Sequence, residues 1–289
     1  MINKKYKGIF YIILSAFFFA LMSMFIRLSG DIPSFQKAFF RNFVALIMAF
    51  AIMIKSHEKI KIKKENLKYL SMRAICGTVG IICNFYAVDH LNLADASMLN
   101  KMSPFFAIIF SFFLLKEKIS PVQAIIVAGA FIGSLFIVKP SAQILSSPAS
   151  LIGLIGGMGA GTAYTFVRIL GQRGENKSFI VLFFSAFSCL VFLPFLIFSY
   201  QEMSFKQFAF LILAGASACG GQFSVTSAYC YAPAREISVY DYSQLIFATI
   251  LGFIVFGQIP DLSSIIGYII IILMAVLMFF YNNKKSDGN

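Results

Sequence analysis

Three charged side chains stand inside otherwise apolar stretches of this sequence, each with polar company. Arg41 adjoins Asn42, Lys101 lies in Met98-Leu-Asn-Lys-Met-Ser-Pro104, and Asp241 lies in Ser238-Val-Tyr-Asp-Tyr-Ser-Gln244. A charge at the centre of a hydrocarbon layer costs about 2.5–3.5 kcal/mol on insertion scales, so it needs a partner or a cavity. A planar guanidinium and an ammonium lining such a cavity suit a carboxylate or a phosphate. Asp241 is the one acid clearly inside an apolar stretch, which makes it a candidate to carry a coupling proton. Snorkelling or interhelical ion pairing accounts for the same three residues, and both readings stay open here. Arg27, Arg73 and Arg168 lie close enough to segment ends to snorkel, and are read as anchors.

Amides and aromatic rings share these segments. Asn84, Tyr86, Asn100, Tyr164, Gln222 and Tyr242 are singly what packing requires; together with Arg41, Lys101 and Asp241 they form a candidate lining for a flat or amphipathic organic molecule. Catalysis finds little footing. His57 and His90 fall in loops on opposite sides, and HExxH, GxSxG, P-loop and paired membrane aspartates are absent. The five cysteines (76, 83, 189, 219 and 230) all lie in apolar segments without CxxC spacing, as small buried hydrophobes do. No cofactor or metal is expected.

The elements that must position these residues follow from composition. Of 289 residues 59% are hydrophobic and only 12% charged, where a soluble domain carries about a quarter charged. Ten apolar segments run at 8–26, 38–54, 70–88, 97–115, 121–138, 150–170, 179–200, 207–230, 237–256 and 263–281, separated by turn or charge punctuation. Most are apolar all round, as lipid-embedded helices are, and none alternates with the period of two that a barrel strand needs. The first follows Lys4, Lys5 and Lys7 with nineteen uncharged residues, longer than the roughly 7–15 of a signal peptide, so it reads as an uncleaved span. Pro104, inside the fourth segment, is expected to kink it. Small residues spaced four apart, at Gly129/Gly133 and Gly153/Gly157/Gly161, are expected to pack helices closely.

Lys and Arg set the orientation. The tails and alternate loops hold sixteen: Lys4, Lys5, Lys7, Lys55, Lys59, Lys61, Lys63, Lys64, Lys68, Lys116, Lys118, Arg173, Lys177, Arg235, Lys284 and Lys285. The opposite loops hold three, Lys37, Lys139 and Lys206, or four with Arg27. Positive charge stays inside, which predicts both termini in the cytoplasm of a multi-pass cell-membrane protein. The formal charge of +12 is then a topology signal, and a nucleic-acid partner is excluded.

The chain also repeats itself. A shift of 141 residues lays Phe25-Ile-Arg27-Leu-Ser-Gly30 on Phe166-Val-Arg168-Ile-Leu-Gly171, Gly80 on Gly221, Ser97 on Ser238, and Lys116-Glu117-Lys118 on Gly257-Gln258-Ile259, without a gap. Asn100 falls on Asp241 in the same register. Five spans per unit is odd, so the second unit enters from the other side. The predicted fold is an all-α polytopic membrane protein of ten transmembrane helices, arranged as two inverted-topology repeats: 1–141, 142–282 and a cytoplasmic tail 283–289. Many secondary transporters build two access states around a midplane site on such a frame.

Two runs then carry a resemblance. One is Ala232-Pro-Ala-Arg235-Glu-Ile-Ser238 leading through Val-Tyr-Asp241 to Phe256-Gly-Gln-Ile-Pro-Asp261. The other is Ala94-Asp-Ala-Ser-Met98, then Leu114-Leu-Lys-Glu-Lys-Ile-Ser-Pro121, closing at Val138-Lys-Pro140. The chain resembles the EamA family of the drug/metabolite transporter superfamily over essentially its whole length. That resemblance implies ten helices with both termini inside, and movement, often export, of small metabolites such as amino acids or purines. Arg41 looks like an arginine often seen in the family's second helix; where the first copy often has Gly-Glu after its fourth helix, this chain has Lys116-Glu117. The expected function is a secondary transporter or facilitator exporting a small organic metabolite, with an amino acid as the leading class. A carboxylate-bearing substrate and the lipid bilayer are the expected partners. A membrane-embedded enzyme or a non-transporting scaffold is the alternative.

Overall fold

A computed structural model describes residues 4–55, 64–91, 93–141 and 147–287. His57 and three of the counted lysines, 59, 61 and 63, lie outside the described residues. Twelve α-helices follow one another: α1 Lys4–Leu28, α2 Ser34–Lys55, α3 Lys64–His90, α4 Leu93–Asn100, α5 Ser103–Leu115, α6 Pro121–Val138, α7 Pro148–Gln172, α8 Lys177–Phe198, α9 Phe205–Tyr231, α10 Ala234–Ile237, α11 Ser243–Phe256 and α12 Leu262–Asp287. No strand occurs among the described residues. Ten spans result, because α4 and α5 together make the fourth and α10, the 3-10 turn Ser238–Tyr242 and α11 make the ninth. Side chains such as Phe113, Phe198 and Ile254 point outward at 69–86% exposure, an apolar exterior that only a bilayer can cover. The protein is a multi-pass membrane protein.

Helices α7 and α9 are the most enclosed spans, and α11 and α12 among the least. The principal packing partners come in exchanged sets: α1 against α9 and α3 against α7; α5 against α7 and α1 against α11; α2 against α9 and α3 against α8. The pairs α2 with α8 and α6 with α12 map onto themselves under the 141-residue shift. The α6–α12 pair is clasped at both ends. At one, Gln123 donates to Asn282 at 2.9 Å; at the other, Lys139 pairs with Asp261 and holds its carboxyl down at about 2. The expected close packing at Gly129 and Gly133 is present, since a Cβ at either would press into Met274, Ile270 or the Gly267 carbonyl of α12.

The helices after the two broken spans end alike. Lys116 closes α5 in the left-handed conformation at φ 56°, and Gly257 closes α11 at φ 65°. The next residues, Glu117 and Gln258, each donate a backbone N–H to the carbonyl six residues back, Ser111 and Gly252. Gly257 enters that conformation freely, whereas a side chain there costs about 1–2 kcal/mol. Lys116→Gly is therefore expected to stabilise the protein by about 0.5–1 kcal/mol, after the added unfolded-chain entropy is subtracted. A thermal melt in detergent checks it; a lowered midpoint would show that the exposed lysine contributes more than its strained backbone costs.

Candidate functional site

The fourth span does not kink at Pro104; it stops. Helix α4 ends at Asn100, Lys101 and Met102 form a turn, and α5 restarts with Pro104 in its first turn. Proline disfavours helical geometry in the residue before it and has no N–H to give, so it starts a helix more readily than it continues one. The amide of Phe105 bonds Met102 at 3.0 Å instead of reaching back to Lys101, which releases the Lys101 carbonyl. In register, 141 residues on, the ninth span is wound as the tighter 3-10 turn Ser238–Tyr242.

The two irregular stretches are tied to each other. The Tyr242 hydroxyl donates to the freed Lys101 carbonyl at 3.1 Å, and Lys101 Nζ donates to Asp241 Oδ2 at 3.3 Å and Gln244 Oε1 at 2.7 Å. Lys101 is 7% and Asp241 9% exposed. The two make one buried interhelical pair, the ion-pair reading of these residues that the sequence leaves open. Helix α7 lies against this junction because its glycines allow it. A Cβ on Gly157 would stand 2.5 Å from the Leu99 carbonyl, and one on Gly161 2.6 Å from that of Ser103.

A second polar group lies beside this junction. Arg41 of α2 and Tyr164 of α7 are half-buried. Arg41, Arg73 and Asp241 are all near enough to act electrostatically on the Tyr164 hydroxyl, and Arg41 acts on Arg73. The Tyr164 ring stacks on Tyr229 at 4.9 Å. Arg73 does not snorkel, contrary to its reading as an anchor. It is 2% exposed, lies 4.0 Å over the Phe184 ring, and donates from Nη2 to Gln222 Oε1 at 3.1 Å. Gly77, one turn along α3, leaves the room: a Cβ there would meet Arg73 Nη1 at 2.3 Å. Both arginines bury an Nε that has no hydrogen-bond partner.

Of the candidate residues, the structure thus gathers Arg41, Tyr164, Gln222 and Asp241, with Lys101 and Tyr242 at the adjoining junction. Asn100 is half-buried at the end of α4, and Asn84 is half-buried where α3 crosses Gly156 of α7. Tyr86 departs from the set: it is 40% exposed and stacks on His90 at 3.9 Å near the end of α3. Arg27 and Arg168 behave as anchors. Arg27 donates to Gln258 at 3.1 Å, and Arg168 to Glu117 at 3.1 Å, pairs that exchange under the 141-residue shift.

Arg73 was the residue that sequence reasoning misplaced, and the repeat carried the signal. In the 141-residue register Arg41 falls on Leu182, Arg73 on Ala214, Tyr164 on Ser23 and Gln222 on Ile81. Framework residues such as Arg27/Arg168 and Gly80/Gly221 are kept in both halves, whereas each member of this cluster occurs in one half alone.

Ten spans, two of them interrupted beside an enclosed polar cluster, define a membrane transporter for small molecules. The profile of the EamA-like transporter family matches residues 6–139 and again 147–280, and the chain belongs to that family, within the drug/metabolite transporter superfamily. It is 27% identical over 265 residues to the pseudopaline exporter CntI of Pseudomonas aeruginosa, covering 91% of this chain and 92% of that protein. It is 26% identical to human solute carrier family 35 member G1, covering 88% and 73%, and 25% identical to a riboflavin transporter of Brucella anthropi, covering 80% and 83%. A crystal structure of a protein 13% identical in sequence superposes with a TM-score of 0.84 over 95% of this chain and 98% of that one, which establishes the likeness of fold.

Proposed function

We propose that this transporter exports a small carboxylate-bearing organic metabolite, with amino acids the leading class, through a cavity in which Arg41 holds the carboxylate. The observation that carries this reading is Arg41 itself. Its guanidinium is enclosed in the bundle, partly open, and has an Nε without a protein acceptor and no carboxylate within ion-pair distance among the described residues. A guanidinium presents a planar fork of donors that matches a carboxylate. Export is favoured by the likeness to a pseudopaline exporter. The exchanged packing partners and the interruptions of the fourth span at 101–102 and of the ninth at 238–242 support two inverted five-span units, with alternating access around the site between them.

The test is uptake into proteoliposomes of L-amino acids and of their carboxamides. Arg41→Gln is expected to lower transport of the acids about tenfold or more, the worth of one charge-assisted hydrogen bond, and of the amides less than twofold. Equal losses for both would make Arg41 structural. Orientation is tested separately, in a background lacking the five native cysteines. Membrane-impermeant thiol reagent added outside cells is expected to label cysteines placed in 201–206 and 139–149, and to miss those in 56–68 and 282–289. Labelling of 56–68 from outside would invert the assignment.

A further inference from the structure

The charges of this polar cluster do not balance. Arg41, Arg73 and Lys101 bring three positive charges, and Asp241, the partner of Lys101, brings one negative charge, leaving two guanidiniums uncompensated. Among the described residues neither arginine has a carboxylate within ion-pair distance. Each buries an Nε without an acceptor, and the polar partners given to Arg73 are the neutral Gln222 and the face of Phe184. Enclosing two uncompensated charges in one helix bundle within a membrane is costly unless counter-charge arrives with a ligand. The repeat adds an independent observation: the frame does not need these arginines, since Leu182 and Ala214 occupy their places in the other half.

We propose that the transported molecule carries two acidic groups, one held by Arg41 and the other by Arg73 with Gln222, so that Arg73 is the residue that selects diacids over monoacids. This rests on the reading of Arg41 as the carboxylate-holding residue and extends it to a second subsite. Gln222 suits the role because its amide oxygen accepts from Arg73 Nη2 and fixes the guanidinium, while its amide N–H2 remains to donate to the same anion. Phe184 covers one face of the guanidinium and leaves its edge for hydrogen bonding. Two carboxylates and a single phosphate monoester supply the same charge, so both sources are included in the test.

The experiment is uptake by the full-length protein in proteoliposomes of isosteric pairs that differ by one charge: glutamate and glutamine, glutarate and glutaramate, with glycerol 3-phosphate as the phosphate arm. The wild type is expected to take each diacid about tenfold or more better than its half-amide. Arg73→Gln is expected to erase that ratio, and Arg73→Lys, which keeps charge without the fork, to restore part of it. Arg41→Gln lowers both members of each pair. Gln222→Glu guards against a variant that merely fails to fold. It places a carboxylate beside Arg73 and supplies the missing counter-charge from within, so its thermal midpoint should not fall while the diacid ratio collapses. Uptake of glycerol 3-phosphate that depends on Arg73, without uptake of the diacids, supports the dianion and identifies phosphate as its source. Half-amides taken as well as diacids, or a ratio unmoved by both Arg73→Gln and Gln222→Glu, overturns the second subsite. If Arg41→Gln lowers transport of acids more than that of amides, the carboxylate reading survives that result; if no arginine variant alters any probe, both fall.

Discussion

Asp241→Asn is expected to destabilise the protein by about 3–5 kcal/mol, because it leaves the Lys101 ammonium buried without its counter-ion. Lys101 is 7% exposed and its remaining acceptor is Gln244 Oε1 at 2.7 Å, which places the loss toward the lower end of that range. Lys101→Met is expected to cost a similar amount, by stranding the carboxylate instead. Replacing both, Lys101→Met with Asp241→Leu, should recover most of the loss, since an ion pair withdrawn from water contributes little over an apolar pair of similar size. Folded yield and unfolding midpoint in detergent measure all three. The same variants decide between structure and coupling. A structural pair predicts that Asp241→Asn loses folded protein and substrate exchange together. A stable Asn variant that exchanges substrate but ignores an imposed pH gradient would assign Asp241 to the coupling proton instead.

Gly161→Ala is expected to abolish transport and to cost about 1–3 kcal/mol or more of stability. The added methyl would stand 2.6 Å from Phe106 Cβ, 2.6 Å from the Ser103 carbonyl and 2.7 Å from the Ala107 amide. Two of these are backbone atoms at the start of α5, so no side chain can swing aside, and α7 must retreat from the broken fourth span. That retreat would pull Tyr164 away from Arg41 and Arg73, so function should suffer beyond stability. Thr162→Ala is the control, because its hydroxyl bonds only the Met158 carbonyl of its own helix. Near-normal flux in a well-folded Gly161→Ala protein would mean that the α7–α5 contact is slack.

Several features of the architecture are legible in the sequence. Ten spans follow from hydropathy and length, because a bilayer forces each crossing into a helix of about twenty apolar residues. The register of 141 residues placed Lys116 over Gly257, and the two close their helices with matching left-handed caps. The small residues of α6 and α7 were correctly read as contact surfaces, since only a missing side chain lets backbones meet in lipid.

What the sequence by itself determined, then, is the number of spans, the helix-packing seams and the polar residues worth suspicion. The tertiary structure decided which of these residues meet. Lys101 and Asp241 became one pair, Arg73 moved from anchor to centre, and Tyr86 left the group for His90. The physical reason is that lipid and bundle interior are equally apolar, so a span hydrophobic all round carries no stripe that tells which face looks inward. Facing is set by contacts made far along the chain, here Gly77 and Phe184 around Arg73 and α7 glycines against a broken helix. Those contacts exist only once the helices have assembled.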